Sequence, residues 1–79
     1  MGLAPTQTLT SLPMATEARV VSVGGEGPVT RRLLEMGVIP GVTVSVVKKA
    51  PFGDPICISV SGYELSLRLE EAATISILD

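Results

Sequence analysis

Histidine and tryptophan are absent from this 79-residue sequence, and cysteine, tyrosine and phenylalanine occur once each. Each shortage closes a class of function. Without histidine the usual general base is missing. One cysteine, Cys57, closes no disulfide within the chain, and without histidine it builds no soft-metal site from a single copy. The lone thiol fits a reducing compartment. Two aromatic residues are too few for a platform that stacks single-stranded bases. Six basic against eight acidic residues, a net charge of −2, lack the basic footprint of a nucleic-acid binder. No apolar run approaches the roughly 18 residues that a membrane helix needs, and the first residues have neither the charged nor the apolar region of a signal peptide.

What is present is aliphatic. Apolar residues make up 46% of the chain, enough for one small domain with a core of valine, isoleucine and leucine. Residues 1 to 8 read as a disordered leader and residues 9 to 79 as a single domain. MGLAPT matches the loose myristoylation pattern, and the simpler reading of it is leader. Leu9 and Leu12 offer partial packing. Residues 17–23, EARVVSV, form a first strand, broken by Gly24-Gly25-Glu26-Gly27. A helix then fits residues 28–36. Pro28 suits its first position and Gly27 its N-cap. Val29, Leu33 and Met36 share a face with Leu34 beside them, and Arg31 and Glu35 stand at i, i+4 on the wet side. Gly37 sits where a left-handed C-terminal residue belongs. So short a helix has no stability of its own and must lean on a β core.

The remainder alternates with period two: Val42, Val44, Val46; Ile56, Ile58, Val60; Tyr63, Leu65, Leu67, Leu69; Ala73, Ile75, Ile77. Such runs predict antiparallel strands with one buried face each. Ser61-Gly62 is a two-residue hairpin turn, Ala50 to Pro55 a longer tip, and Glu70-Glu71-Ala72 a tight, solvated turn. About five antiparallel strands with one short helix between the first and second predict a small closed barrel, because closure removes exposed edges. The helix plugs one end of it.

Few residues offer chemistry. Cys57 alternates within a strand and lacks a partner base, so a small strand residue is the simpler reading. GGEGPVT lacks the Lys-Ser/Thr ending of a phosphate loop. Glu26 and Asp54 offer at most weak cation binding at a shared interface, and solvated loop acids is the simpler reading. No catalytic, cofactor or metal residue is assigned. Lys48 and Lys49 read as a wet strand edge. What remains is a binding module, with Phe52 at a hairpin tip either anchoring in a partner or folding back on the barrel.

Several ordered segments then converge. Leu34-Glu35-Met36-Gly37 followed by Pro40-Gly41, the tip Pro51-Phe52-Gly53-Asp54-Pro55, and Gly62 through Leu67-Arg68 to Glu71-Ala72 resemble the FeoA family over residues 9 to 78. One departure is visible: members often carry Pro-Pro-Gly after the leading leucine, and here Leu12-Pro13 is followed by Met14-Ala15. The resemblance implies an SH3-like barrel and a cytoplasmic, non-catalytic accessory protein of ferrous iron transport. Such a protein binds the cytoplasmic portion of the FeoB transporter, modulates it by protein–protein contact, and meets the membrane only through that partner. Transition-metal association is implied at the level of the family, with no ligand set in this chain. The expected contact residues are Arg31, Arg32, Glu35, Met36 and Phe52. The second reading is a stand-alone regulatory module, similar to the C-terminal domain of iron-dependent repressors, that senses a cation or a peptide. These 79 residues hold no helix-turn-helix segment, which ranks it lower. Val47 and Leu78 fall off the inward pattern and offer faces for self-association as a homo-oligomer.

Overall fold

Local rules account for most of the elements in the computed structural model, which describes residues 7–25 and 27–78. They are β1 (Gln7–Thr8), a 3-10 turn (Leu9–Ser11), β2 (Glu17–Val23), α1 (Pro28–Glu35), β3 (Thr43–Lys49), β4 (Ile56–Val60), β5 (Tyr63–Leu67), α2 (Leu69–Ala72) and β6 (Ile75–Leu78). The strands form one antiparallel sheet in the order β1-β6-β2-β3-β4-β5. The mainly β expectation holds, with six strands among the described residues. The helix expected between the first two strands lies between β2 and β3, since β1 precedes them.

The period-two residues meet in one core. Val20, Val44, Val46, Ile56, Ile58 and Val60 are each at most 1% exposed, and Ile75 and Ile77 join them at 0%. The inward face is aliphatic while Thr43, Ser45, Cys57 and Ser59 stay outside it, as one-sided burial of an antiparallel sheet requires. Two bulges adjust the pattern. Register shifts at Val21 and Val47 push these valines outward, to 44% and 39% exposure, because a bulge opposes two residues to one and kinks the strand. The turn Ser61-Gly62 has φ of +50° and +88°, the two left-handed residues of a type I′ hairpin, and Val60 pairs with Tyr63 across it.

Helix α1 begins as its residues dictate, with Pro28 at the start and Gly27 as N-cap. It ends in a Schellman motif. The Val38 N–H donates to the Leu33 carbonyl at 3.0 Å and the Gly37 N–H to the Leu34 carbonyl at 3.1 Å, with Gly37 at φ +95°. Leu33 and Val38, the apolar pair that accompanies this motif, are both 0% exposed. Met36 packs partly against the core. Val29 and Leu34, expected on the buried face, are 40% and 41% exposed. The helix therefore lodges through its last turn rather than along its length.

Three expectations change. Gln7 and Thr8, placed in the leader, pair with Ile77 and Ser76; residues 1–6 lie outside the described residues. Leu9 and Leu12 are 0% exposed, so the segment after β1 is part of the core, because its 3-10 turn directs both leucines inward. Second, Leu69 does not continue β5. The chain turns at Arg68 (φ −71°, ψ 152°) into α2, since two carboxylates are placed to accept its first N–H groups, as described below. Third, among the described residues the ladder runs from β1 to β5 without joining these two strands. The ladder is an open run of strands and not a continuous ring of hydrogen bonds.

The departure at Met14-Ala15 leaves a trace in the backbone. Ala15 adopts φ +64°, and its N–H donates to the Val46 carbonyl at 2.9 Å. An L-residue in this region costs about 1–2 kcal/mol, whereas glycine carries an entropic cost of about 0.5–1 kcal/mol. Ala15→Gly is accordingly expected to stabilise the domain by about 0.5–1 kcal/mol, read as a melting temperature higher by about 3–6 °C in thermal circular dichroism.

Candidate functional site

The site assembles around α2, an element of four residues. The N–H groups at its start need acceptors from outside the helix's own ladder, and two of them find carboxylates. Glu71 folds its side chain back so that Oε1 accepts from the Arg68 N–H at 2.9 Å. Asp54, from the β3–β4 tip, accepts the Leu69 N–H at Oδ1, 3.0 Å. The other carboxylate oxygen of Glu71 accepts from Arg32 of α1, across 39 positions of sequence. One carboxylate thus binds the helix α1 to α2, and a second binds α2 to the tip. The Glu71 backbone carbonyl in turn accepts from the Thr74 hydroxyl at 2.7 Å, which ties α2 to the approach of β6.

This overturns the reading of Glu70-Glu71 as a solvated pair. Glu71 is buried, 8% exposed, and the physical reason is that its charge is matched by the Arg68 backbone N–H and the Arg32 guanidinium. Arg32 keeps 55% of its side chain exposed. A pair so open to solvent contributes about 0–1 kcal/mol, so the carboxylate's larger effect is on the backbone it caps. The spacing of Arg31 and Glu35 pointed to an ion pair along the helix; among the described residues the pair that forms is Arg32 with Glu71.

Arg31, Arg32 and Glu35 are exposed on α1, and Met36 at its end is half-buried. Phe52 is 96% exposed and does not fold back. Its loop is nonetheless ordered, since the Gly53 N–H donates to the Ala50 carbonyl at 2.7 Å and the Ala50 N–H to the Pro55 carbonyl at 3.1 Å. An aromatic ring held in water by a closed loop is presented without the entropic cost of ordering that loop on contact. A cleft of about 310 Å³ is bounded by Arg32, Pro55, Ser66, Leu67, Arg68 and Glu71. It places α1 and the base of the tip on the two sides of one depression. Arg32 therefore belongs both to the surface and to its scaffold, whereas Arg31, Glu35 and Phe52 belong to the surface alone. Asp54 and Glu71 are the residues that sequence reasoning missed. Their signal was the spacing of Glu71 three residues after Arg68, the N3 acid of a capping arrangement.

Cys57 is half-buried on β4, with Sγ 3.7 Å from Glu64 Oε1. Loss of solvation first, and then the negative charge of Glu64, push its thiol above the ordinary range, with Lys48 pulling weakly the other way. This is the reverse of what activates a nucleophile. Because the folded thiol holds its proton to higher pH than the unfolded one, stability is unaffected below a pH of about 8.5 and falls as pH rises beyond it. Iodoacetamide is accordingly expected to modify the folded chain at pH 8 more slowly than a cysteine peptide, with a rate profile displaced to higher pH.

Among the described residues no group of three His, Cys, Asp or Glu side chains converges as a metal site, and no helix is long and apolar enough to cross a membrane. Glu26, weighed as a weak cation ligand, lies outside the described residues.

With this geometry in hand, known proteins sharpen the assignment. The FeoA domain model matches residues 7–78. A Porphyromonas gingivalis protein, a fusion of Fe(2+) transport protein A with the Fe(2+) transporter FeoB, is 41% identical over 69 residues, which is 87% of this chain and 8% of that protein. The chain thus spans less than a tenth of the length of that curated relative. The solution structure of a FeoA-like protein from Clostridium acetobutylicum superposes with a TM-score of 0.87 at 32% identity, covering 96% of this chain and 88% of the other. Stenotrophomonas maltophilia FeoA, crystallised with zinc and described as a procaryotic SH3 domain protein, gives a TM-score of 0.80 at 34% identity over 95% and 91% of the two chains. The SH3-like expectation is met, and the match extends to β1, two residues before the resemblance read from the sequence. An aliphatic barrel with a short helix between β2 and β3, a closed tip and a family match across all its described elements is a member of the FeoA domain family.

Proposed function

We propose that this chain is a cytoplasmic, non-catalytic accessory protein of ferrous iron uptake, which binds the cytoplasmic portion of a FeoB-type transporter and modulates it by protein–protein contact. The observation that carries this reading is the fusion relative, in which a domain 41% identical to this one is joined to FeoB in one polypeptide. Fusion keeps two domains at high effective concentration, an arrangement that favours partners which touch. The surface formed by α1 and the tip supports the reading from the other side. It combines an exposed aromatic with arginines, residue types enriched where proteins bind one another.

The test is capture of the transporter's cytoplasmic portion by the purified chain. Arg31→Glu together with Phe52→Ala leaves the core and the Glu71 network untouched and is expected to weaken capture about tenfold or more, as loss of a central anchor does. Undiminished capture by this variant contradicts the surface assignment. Arg32→Glu is a poorer probe, because it places a second carboxylate beside Glu71 and perturbs the scaffold as well. A cation-sensing regulatory module is separated by anaerobic calorimetric titration with ferrous iron: the accessory reading expects no tight saturable site in the isolated chain.

A further inference from the structure

The cleft between α1 and the base of the tip gathers more positive charge than its own carboxylate answers. Arg32 bounds it from α1 and Arg68 from the start of α2, and Glu71 is the one acid on its walls. Two guanidiniums against one carboxylate leave one positive charge unmatched. Arg32 directs one donor, at Nη2, to Glu71. A guanidinium carries five N–H donors in a planar fork, and 55% of this side chain stays exposed, so a second acceptor can reach it. Arg68 enters no ion pair among the described residues. Its part in capping α2 is played by its backbone, whose N–H donates to Glu71.

The third wall is the free edge of β5. A type I′ turn closes on a hydrogen-bonded pair, here Val60 with Tyr63, and bonded pairs alternate along the ladder. Leu65 and Leu67 therefore bond inward to β4, and the N–H of Ser66 points off the edge. No bond outside the ladder reaches it among the described residues. The end of α1 flanks the same edge, so close that a Cβ on Gly37 would stand 2.9 Å from the Tyr63 hydroxyl oxygen. A space of about 310 Å³ beside that helix admits a side chain rather than a further strand.

We infer that this cleft takes a carboxylate of the partner, an aspartate or glutamate side chain that accepts from Arg32, Arg68 and the Ser66 N–H. This occupant rests on the transporter reading above and gives that contact its chemistry. A monoanion matches the surplus charge. A phosphate, at up to −2, would leave the cleft negative beside the buried Glu71. Glu71 also prepares the site, because a guanidinium already held in place loses less side-chain freedom on binding. A basic side chain of the partner meets like charge here and is rejected.

Titration of the isotope-labelled chain with the transporter's cytoplasmic portion tests this, at about 50 mM and about 300 mM NaCl. The Ser66 amide and the Arg68 Nε–H are the reporters, and both are expected to shift. Arg68→Gln keeps the backbone cap of α2 and removes one guanidinium. It is expected to weaken binding about tenfold or more and to flatten the salt dependence. Arg68→Glu weakens it further, and reversing one acidic residue of the transporter portion to arginine restores it. Circular dichroism confirms that each variant is folded. Binding by Arg68→Gln as tight and as salt-sensitive as the parent's overturns the inference and leaves the transporter reading standing. So does a Ser66 amide unmoved at saturation. If the parent chain itself does not bind, the transporter reading falls, and a tetraglutamate peptide at millimolar concentration decides the cleft alone. Shifts at both reporters that Arg68→Gln removes uphold the site, and their absence overturns it. A stronger response to inorganic phosphate than to the peptide overturns the carboxylate as its occupant.

Discussion

Leu33→Ala lowers the unfolding free energy by about 3 kcal/mol and the melting temperature by about 15 °C. The leucine is the residue of α1 that is fully buried, at 0% exposure. Truncation removes its transfer free energy and leaves a cavity between the helix and the sheet. An eight-residue helix has no stability in isolation, so what the leucine contributes is the attachment of α1 itself. It also anchors the Schellman closure, where its carbonyl accepts from Val38. A domain of this size is stable by about 4–12 kcal/mol in all, and this one substitution takes a large part of it. Thermal unfolding by circular dichroism measures the loss. A melting temperature within about 3 °C of the parent would show that α1 is held by something other than its last turn.

Gly37→Ala is the second large effect, a destabilisation of about 2 kcal/mol or more. Two causes add. The residue lies at φ +95°, where a side chain costs about 1–2 kcal/mol, and a Cβ would stand 2.9 Å from the Tyr63 hydroxyl oxygen. The two are separable. With the hydroxyl gone, the nearest tyrosine atom is Cζ at 3.9 Å, an ordinary contact. Tyr63→Phe on its own is expected to be nearly neutral, because the ring is 42% exposed. In the Tyr63→Phe background Gly37→Ala then costs only the backbone term. Urea titration of the four proteins gives the coupling between the two positions. A coupling of zero would place the whole cost in the backbone conformation.

The parts of this fold that were legible beforehand are those governed by neighbours in sequence. Pro28 and Gly37 mark the ends of α1 through their own backbone geometry, Ser61-Gly62 marks a turn, and alternation marks the inward faces of β3, β4 and β6. The hidden parts depend on partners far along the chain. Leu9 and Leu12 sit in a stretch of threonine, serine and proline that reads as a tail, and become core because β1 adds to β6. Leu69 keeps the rhythm of β5 and leaves the strand because Asp54, fifteen residues earlier, accepts its N–H. Glu71 looks like any surface acid until Arg32 is beside it. Closure of the sheet is a property of the whole set of strands, and no single run of residues announces that β1 and β5 stay apart. For the candidate surface, exposure of Arg31 and Glu35 was readable from pattern, whereas turn chemistry placed Phe52 at a tip and left open whether its ring faces water or folds back on the barrel. The network of Glu71 and Asp54 that holds α1 and the tip together was not.

Helix and tip act as one rigid surface because two buried or capping carboxylates fasten both to α2. Amide chemical-shift mapping of the isotope-labelled chain against the transporter's cytoplasmic portion examines this directly. Perturbations concentrated at residues 31–36 and 50–55, with the outer faces of β2 and β6 unmoved, are the predicted result. No perturbation at saturating partner, or one confined to β2 and β6, would contradict it.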